Sequence, residues 1–272
     1  MSEDELPNYA ALLGKGPFSR RLAKRILGDL LKSGRELHAY EREYMEKLFP
    51  GKPWNEILKN KSKVFNAVAC LIQNNFVEKS LRGPIRLKWK TPLCWLANTP
   101  GVPFAYLGLL GRRRYPVSET ETAVKLLESD PNVGRIPEKI VVVTTNRAIG
   151  EWEGGISSDL KIDWRTCGED KLNDIDVVKE KVKPLIIELM KNYILIMDLT
   201  SGPRPAGVAF HELALECKVP LIYVYEPIKK LRWLISKEKL MKEIGGVFYI
   251  VSDEEAEKGR DIARRRKKRI VY

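Results

Sequence analysis

The chain is poor in the residues that build metal centres. Its 272 residues include two histidines, His38 and His211, and four cysteines, Cys70, Cys94, Cys167 and Cys217. The cysteines are far apart and form no C-x-x-C pair, which argues against a zinc ribbon and supplies no disulfide framework. Two histidines are too few for a multi-histidine site or a metallo-hydrolase centre, so no metal is expected. Cofactor fingerprints are missing too: no G-x-G-x-x-G follows the first candidate strand of the second half, and there is no Walker A sequence. No apolar run reaches about 18 residues, and no basic segment followed by a short apolar one opens the chain. A soluble, cytoplasmic protein without a membrane partner is the expectation. Glutamine is nearly absent: Gln73 is the single one in a chain that is 31% charged, a composition common in thermophile proteins.

Charge of one sign is in excess. The formal net charge is +12, which suits an anionic partner. The excess is regional. Residues 51–92 carry nine Lys or Arg against Glu56 and Glu78, a local +7, whereas residues 151–200 hold seven bases and eleven acids, a local −4. A second basic run, Arg264-Arg265-Arg266-Lys267-Lys268-Arg269, lies near the end.

Residues 1–17 read as an irregular arm. Leu22, Ile26, Leu27, Leu30 and Leu31 fall at helical spacing, with Ser19 as an N-cap. Further helices are predicted over 36–48, over 54–58 behind Pro53, and over 62–73, where Asn74-Asn75 stops the last. The period then changes: residues 76–79 and 85–90 read as two strands about a turn at Leu81-Arg82-Gly83-Pro84. This order resembles a winged helix-turn-helix domain over about residues 36–91, within an amino-terminal unit of residues 1–92. The resemblance implies that 62–73 is a recognition helix and the hairpin a wing, with Lys61, Lys63, Asn66, Arg82, Arg86 and Lys88 facing double-stranded DNA. Phosphate neutralisation supplies most non-specific DNA affinity, which the local +7 suits. The plain alternative is a helical unit whose hairpin makes dimer contacts.

Residues 91–103, with Pro92, Pro100, Gly101 and Pro103 around Leu93-Cys94-Trp95-Leu96, mark the boundary with a second unit over 104–272. They are too apolar for a free linker. From 104 onward strands and helices alternate: strands over 104–110, 140–143, 160–164, 193–197, 221–225 and 246–251, helices over 119–128, 177–191 and 206–217. Such alternation means an α/β fold with a Rossmann-like, doubly wound parallel sheet.

Three strand ends carry residues suited to binding an anion. The first holds Gly111, Arg112 and Tyr115, followed by Ser118. The second holds Thr145 and Asn146. The third holds Asp198, Thr200, Ser201, Gly202 and Arg204. In a parallel sheet these ends share one edge, where a crevice opens. Peptide N–H groups in a glycine-containing turn, a helix N-terminus and an arginine all suit phosphate. The plain alternative is that Asp and Thr here cap helices and tie down loops.

Asp198-Leu199-Thr200-Ser201-Gly202-Pro203-Arg204 resembles the D-x-T-G-G-T-K/R signature of the CRISPR-associated Rossmann-fold (CARF) sensor domains, and the resemblance covers about residues 104–252. Ser201 stands in place of the first glycine and Pro203 in place of a threonine. The resemblance implies a homodimer that binds cyclic oligoadenylate in type III CRISPR defence, and hence a ligand-sensing, DNA-binding regulator without a cofactor. Some members of that family are metal-independent ring nucleases. By that analogy Ser118, Thr145 and Arg204 are candidate catalytic residues, with the winged helix then serving dimerisation.

Overall fold

The computed structural model describes residues 5–14, 18–34, 36–79, 83–225 and 229–248. The amino-terminal part consists of α1 (Tyr9–Leu12), α2 (Phe18–Ser33), α3 (Arg42–Leu48), α4 (Trp54–Leu58), α5 (Lys61–Gln73), β1 (Val77–Lys79) and β2 (Ile85–Leu87). α2 and α5 pack against each other. The first buries Leu22, Ile26, Leu27, Leu30 and Leu31 and the second Val64, Ala67, Val68 and Leu71, each set recurring every three or four residues as one helix face does. Each fully buried Leu, Ile or Val stabilises the fold by roughly 1.5–3 kcal/mol. β1 and β2 pair antiparallel, with Glu78 opposite Arg86.

Three local expectations need correction. The helix expected over 36–48 begins at Arg42, because Leu37 forms a bridge with Ile85 through two backbone hydrogen bonds of 2.9 and 3.0 Å. Ser19 lies inside α2, not at its cap. The arm contains a turn of helix, α1, whose N-cap Asn8 accepts from the Ala11 N–H.

The segment read as a boundary is a joint. α6 (Leu93–Leu96) is wholly buried, as is Trp89. The backbone N–H groups of Lys90 and Thr91 both donate to the Met190 carbonyl, at 2.8 and 3.3 Å. The Thr91 hydroxyl donates to the Tyr193 carbonyl at 2.7 Å and accepts from the Leu195 N–H at 2.6 Å. The apolar core therefore runs without a break from Leu12 to Phe248.

The rest of the described chain builds a six-stranded sheet from β3 (Phe104–Leu109), β4 (Lys139–Thr144), β5 (Ile162–Thr166), β6 (Ile194–Asp198), β7 (Leu221–Tyr225) and β8 (Lys230–Ile235), in the order β5-β4-β3-β6-β7-β8. Five strands are parallel and β8 runs antiparallel on the edge. The fold is thus mixed α/β with a Rossmann-like, mostly parallel sheet. Strands β3, β4 and β6 are buried on both faces, which explains their continuous apolar sequences. Crossovers are α7 (Glu119–Ser129), α8 (Asn146–Trp152), α9 (Ile175–Asn192) and α10 (Arg204–Cys217). α9 runs through Pro184 without interruption and packs beside α10. After β8 comes α11 (Lys237–Ile244). The strand expected from Gly246 is not formed in its described part: Gly245–Val247 is a 3-10 turn. Residues 249–251 and the basic run 264–269 lie outside the described residues.

Candidate functional site

The chain leaves β3 toward β4 on one side of the sheet and later returns to place β6 on the other. Between β3 and β6 the winding therefore reverses, and in an open parallel sheet that reversal opens a crevice at the carboxyl ends of the strands. A cleft of about 440 Å³ lies there, lined by residues from the ends of β3, β4, β5 and β6. Those that bear on its chemistry are Gly111, Arg112, Arg114, Thr145, Glu169 and Ser201.

One buried bond network holds the β6 turn. Tyr106 on β3 donates its hydroxyl to Asp198 Oδ2 at 2.7 Å. The other carboxylate oxygen accepts from the Thr200 N–H at 2.9 Å and from its hydroxyl at 2.5 Å. The Thr200 hydroxyl in turn accepts from the Val224 N–H on β7 at 2.8 Å. Burial raises the Asp198 pKa to about 6, against the bonds from Thr200 and Tyr106, which lower it. Burial also raises the Tyr106 phenol well above its usual range, with the Asp198 charge adding to the effect.

With Asp198 and Thr200 committed, the turn presents Ser201 and Gly202. The Ser201 hydroxyl accepts from the Gly111 N–H at 3.0 Å, tying the β6 turn to the β3 turn. Gly202 has φ +89, and a Cβ there would fall 3.0 Å from that of Leu109, so this position calls for glycine on both conformational and steric grounds. The start of α10 follows at once. Pro203 and Pro205 have no N–H, so the donors of its first turn are those of Arg204 and Ala206, at the partially positive end of the helix. The β3 turn is held from the far side as well, where Trp152 Nε1 donates to the Gly111 carbonyl at 3.0 Å.

The cleft is electrically mixed. Arg112 pairs with Glu169 at 3.2 Å, with the two side chains 48% and 50% exposed. Such an exposed pair is worth at most about 1 kcal/mol, and a phosphate can displace the carboxylate.

The sequence-predicted ligand residues divide clearly. Gly111, Arg112, Thr145, Thr200, Ser201 and Gly202 line the cleft. Tyr115 and Asn146 are exposed beside it, and Arg204 is exposed at the first position of α10. Ser118 is a correction: it is fully buried as the N-cap of α7. Its hydroxyl accepts from the Glu121 N–H at 3.1 Å and donates to Glu121 Oε2 at 3.0 Å, so it can touch neither ligand nor reacting atoms. Asp198, also buried, is a positioning residue. Thr145 lines the cleft while capping α8, accepting from the Ala148 N–H at 3.1 Å. Arg114, inside the Gly111–Tyr115 strand end read as ligand-binding, also lines the cleft, whereas Glu119, Glu169 and Asn173 line it and were missed from the sequence.

On the amino-terminal part, Lys61, Lys63 and Asn66 are exposed on α5. Lys63 donates to Asn60 Oδ1 at 2.8 Å. Arg86 is exposed and paired with Glu36, and Lys88 donates to Asn75 Oδ1 at 3.2 Å. Arg82 lies outside the described residues. Among the described residues, no group of three or more His, Cys, Asp or Glu is placed to hold a metal ion, and no helix is long and apolar enough to cross a membrane.

No family model matches the chain, and no curated protein matches it. Solved structures that are similar in part include three. One is Can2 from Sulfobacillus thermosulfidooxidans in complex with cyclic tetra-adenylate, at 16% identity and TM-score 0.34 over 49% of this chain and 35% of that one. Another is Enterococcus italicus Csm6 bound to cyclic hexa-2'-fluoro-hexa-dAMP, at 12% identity and TM-score 0.35 over 54% and 39%. The third is protein VC1899 from Vibrio cholerae, at 11% identity and TM-score 0.35 over 49% and 34%. The chain spans little more than a third of the length of each.

Proposed function

We propose that the chain is a CARF-like sensor of cyclic oligoadenylate, with an amino-terminal winged helix that binds double-stranded DNA under the control of that ligand. The single observation that carries the reading is the cleft at the winding reversal, where peptide groups of the β3 and β6 turns, Arg112, Arg114 and the start of α10 converge. Helix N-termini and glycine-containing turns are anion sites, and the turn is the one whose sequence resembles the CARF signature. The cleft volume of about 440 Å³ suits one small ligand. A ring of four adenylates exceeds it, which supports two copies facing each other across a two-fold axis, each holding part of the ring.

The reading takes residues 1–92 as the DNA-binding unit and 104–272 as the sensor. α9 links them. The 3-10 turn Asp170–Asn173 that precedes it supplies Leu172 and Asn173 to the cleft. Its last turn accepts the bonds from Lys90 and Thr91 just beyond the hairpin. A ligand that moves this rod changes DNA affinity only if it binds the two arrangements unequally.

Binding without cleavage is the form of the reading that the geometry favours. Of the candidates Ser118, Thr145 and Arg204, the first is buried in a capping box, the second caps α8 and the third, a guanidinium, cannot take up a proton. Calorimetry with cyclic tetra- and hexa-adenylate tests this, followed by chromatography of the ligand after incubation in EDTA. The expected result is saturable binding, weakened by Arg112→Ala, with the ring recovered intact. Absence of binding to either ring overturns the sensor. Products ending in a 2′,3′-cyclic phosphate would instead establish the ring nuclease.

A further inference from the structure

α5 presents an outward face that the packing of the fold does not use. Ser62, Phe65, Asn66 and Gln73 are exposed and Ala69 is half-buried. At 3.6 residues per turn these five positions fall within roughly 100° of arc. They lie opposite the buried Val64, Ala67, Val68 and Leu71. Phe65, at one edge of this arc, is 58% exposed, and Ile72, two turns further along the same edge, is 38% exposed. Ser62, Asn66 and Gln73 make no side-chain hydrogen bond among the described residues. Lys61 and Lys63 flank the stripe at its start, and the ammonium of Lys63 is drawn back over Asn60 and the Phe18 ring, 5.3 Å from its centroid. The face is therefore neutral along its middle and cationic at its margin, within the segment of local charge +7.

Each of these side chains has a characteristic preference in the major groove. Asn and Gln pair in a bidentate way with adenine N6 and N7, while Phe and Ala make apolar contact with the thymine methyl. Guanine is read by Arg or Lys, and Ser accepts either base pair. The stripe has two adenine readers, two thymine readers and one neutral residue, with no guanine reader along its middle. From this we infer that the α5 face reads A·T base pairs, with Asn66 and Gln73 on adenines and Phe65 and Ala69 against thymine methyls. Lys61 and the basic hairpin hold phosphates and contribute no sequence preference. Asn66 and Gln73 are separated by two helical turns, about 10.5 Å. For a helix lying along the groove that is about three base-pair steps of 3.4 Å. The inference rests on the DNA-binding reading above.

The test uses the full chain at one fixed salt concentration. Repeated selection from a randomised 20-base-pair duplex library, scored by mobility shift, is expected to enrich a core of A·T pairs. Asn66→Ala should then lose about tenfold of its discrimination at one position of that core, whereas Lys61→Ala should weaken selected and unselected duplexes alike. A G·C core, equal binding to all duplexes, or unchanged selectivity in Asn66→Ala overturns the inference and leaves the DNA-binding reading standing. Failure to bind any duplex overturns both. Sedimentation of Phe65→Ala supplies a further check. If the substitution dissociates a dimer and leaves DNA selectivity intact, the face is covered by a second copy and the inference fails.

Discussion

Replacing Gly108 with alanine is the sharpest test of how the cleft is held. Gly108 lies opposite Asp198 in the β3–β6 register. Tyr106, two residues earlier on the same face of β3, lays its ring across Gly108 to deliver its hydroxyl to that carboxylate. A Cβ at position 108 would stand 2.6 Å from both Cε1 and Cζ of Tyr106. Tyr106 and its strand neighbours are fully buried, so the ring has nowhere to swing. Two costs follow. Overpacking a core costs about 1–3 kcal/mol, and losing a hydrogen bond to a charged group costs about 1.5–3 kcal/mol more. The sum, roughly 2.5–6 kcal/mol, should lower the thermal midpoint on the order of 10 °C for a chain of this size. Tyr106→Phe keeps the ring and loses only the bond, so it should cost about 1.5–3 kcal/mol. In a Tyr106→Val background, Gly108→Ala should cost less than about 1 kcal/mol, a non-additivity that identifies the ring as the obstacle. Thermal unfolding followed by tryptophan fluorescence measures the four variants and the parent. A Gly108→Ala protein within about 1 kcal/mol of the parent would refute the reasoning.

Ser118→Ala should destabilise the fold by about 0.5–2 kcal/mol, as loss of an N-cap does, and leave cyclic-oligoadenylate affinity in calorimetry unchanged. Glu169→Gln frees Arg112 for a phosphate and should raise that affinity by up to about fivefold, the scale of an exposed ion pair. Asp198→Asn tests the pH behaviour. Because burial raises the folded-state pKa from 3.8 to about 6, the folded protein binds more protons in that window. The Asp198 contribution to stability thus falls as pH rises from 3.8 to 6 and is a constant penalty above it. The loss of midpoint between pH 4 and pH 7 should shrink in Asp198→Asn relative to the parent, and an unchanged difference would assign the pH dependence to other groups.

Much of the fold was legible because its elements are locally consistent. α4 lies over the residues expected for it, Trp54–Leu58 behind Pro53, and α5 stops at Asn74 as expected. The buried strands announce themselves as apolar runs. What escaped was set by tertiary pairing. Leu37 joins the hairpin by a single bridge, too short for any periodic signal, and that bridge delays α3. β8 alternates Lys-Leu-Arg-Trp-Leu-Ile and could have been read as an amphipathic strand. It was missed because an antiparallel edge strand breaks the strand–helix alternation that organised the rest.

The cleft shows the same division in smaller compass. Its three principal turns could be found because each follows an apolar strand, yet sequence alone left their neighbours open. The order β5-β4-β3-β6-β7-β8 brings the β3 and β6 turns side by side, so that Ser201 can bond to the Gly111 N–H. That order also brings in a fourth strand. β5 is half-exposed and ends at Thr166, two residues later than expected, so Glu169 and Asn173 beyond it could not be placed at the edge. Ser118 was misread for a different reason. Ser118-Glu119-Thr120-Glu121 spells a capping box, and a hydroxyl that a helix start requires is a poor candidate for a ligand. Thr145 obeys the same rule yet remains in the cleft, half-buried where Ser118 is fully buried. A polar residue at a strand–helix junction therefore becomes a ligand candidate only after the helix has taken its share of the hydrogen bonds. Here that criterion removes Gly111, whose N–H and carbonyl are both bonded, and leaves the peptide groups of Ser201 and Gly202, together with Arg112 and Arg114.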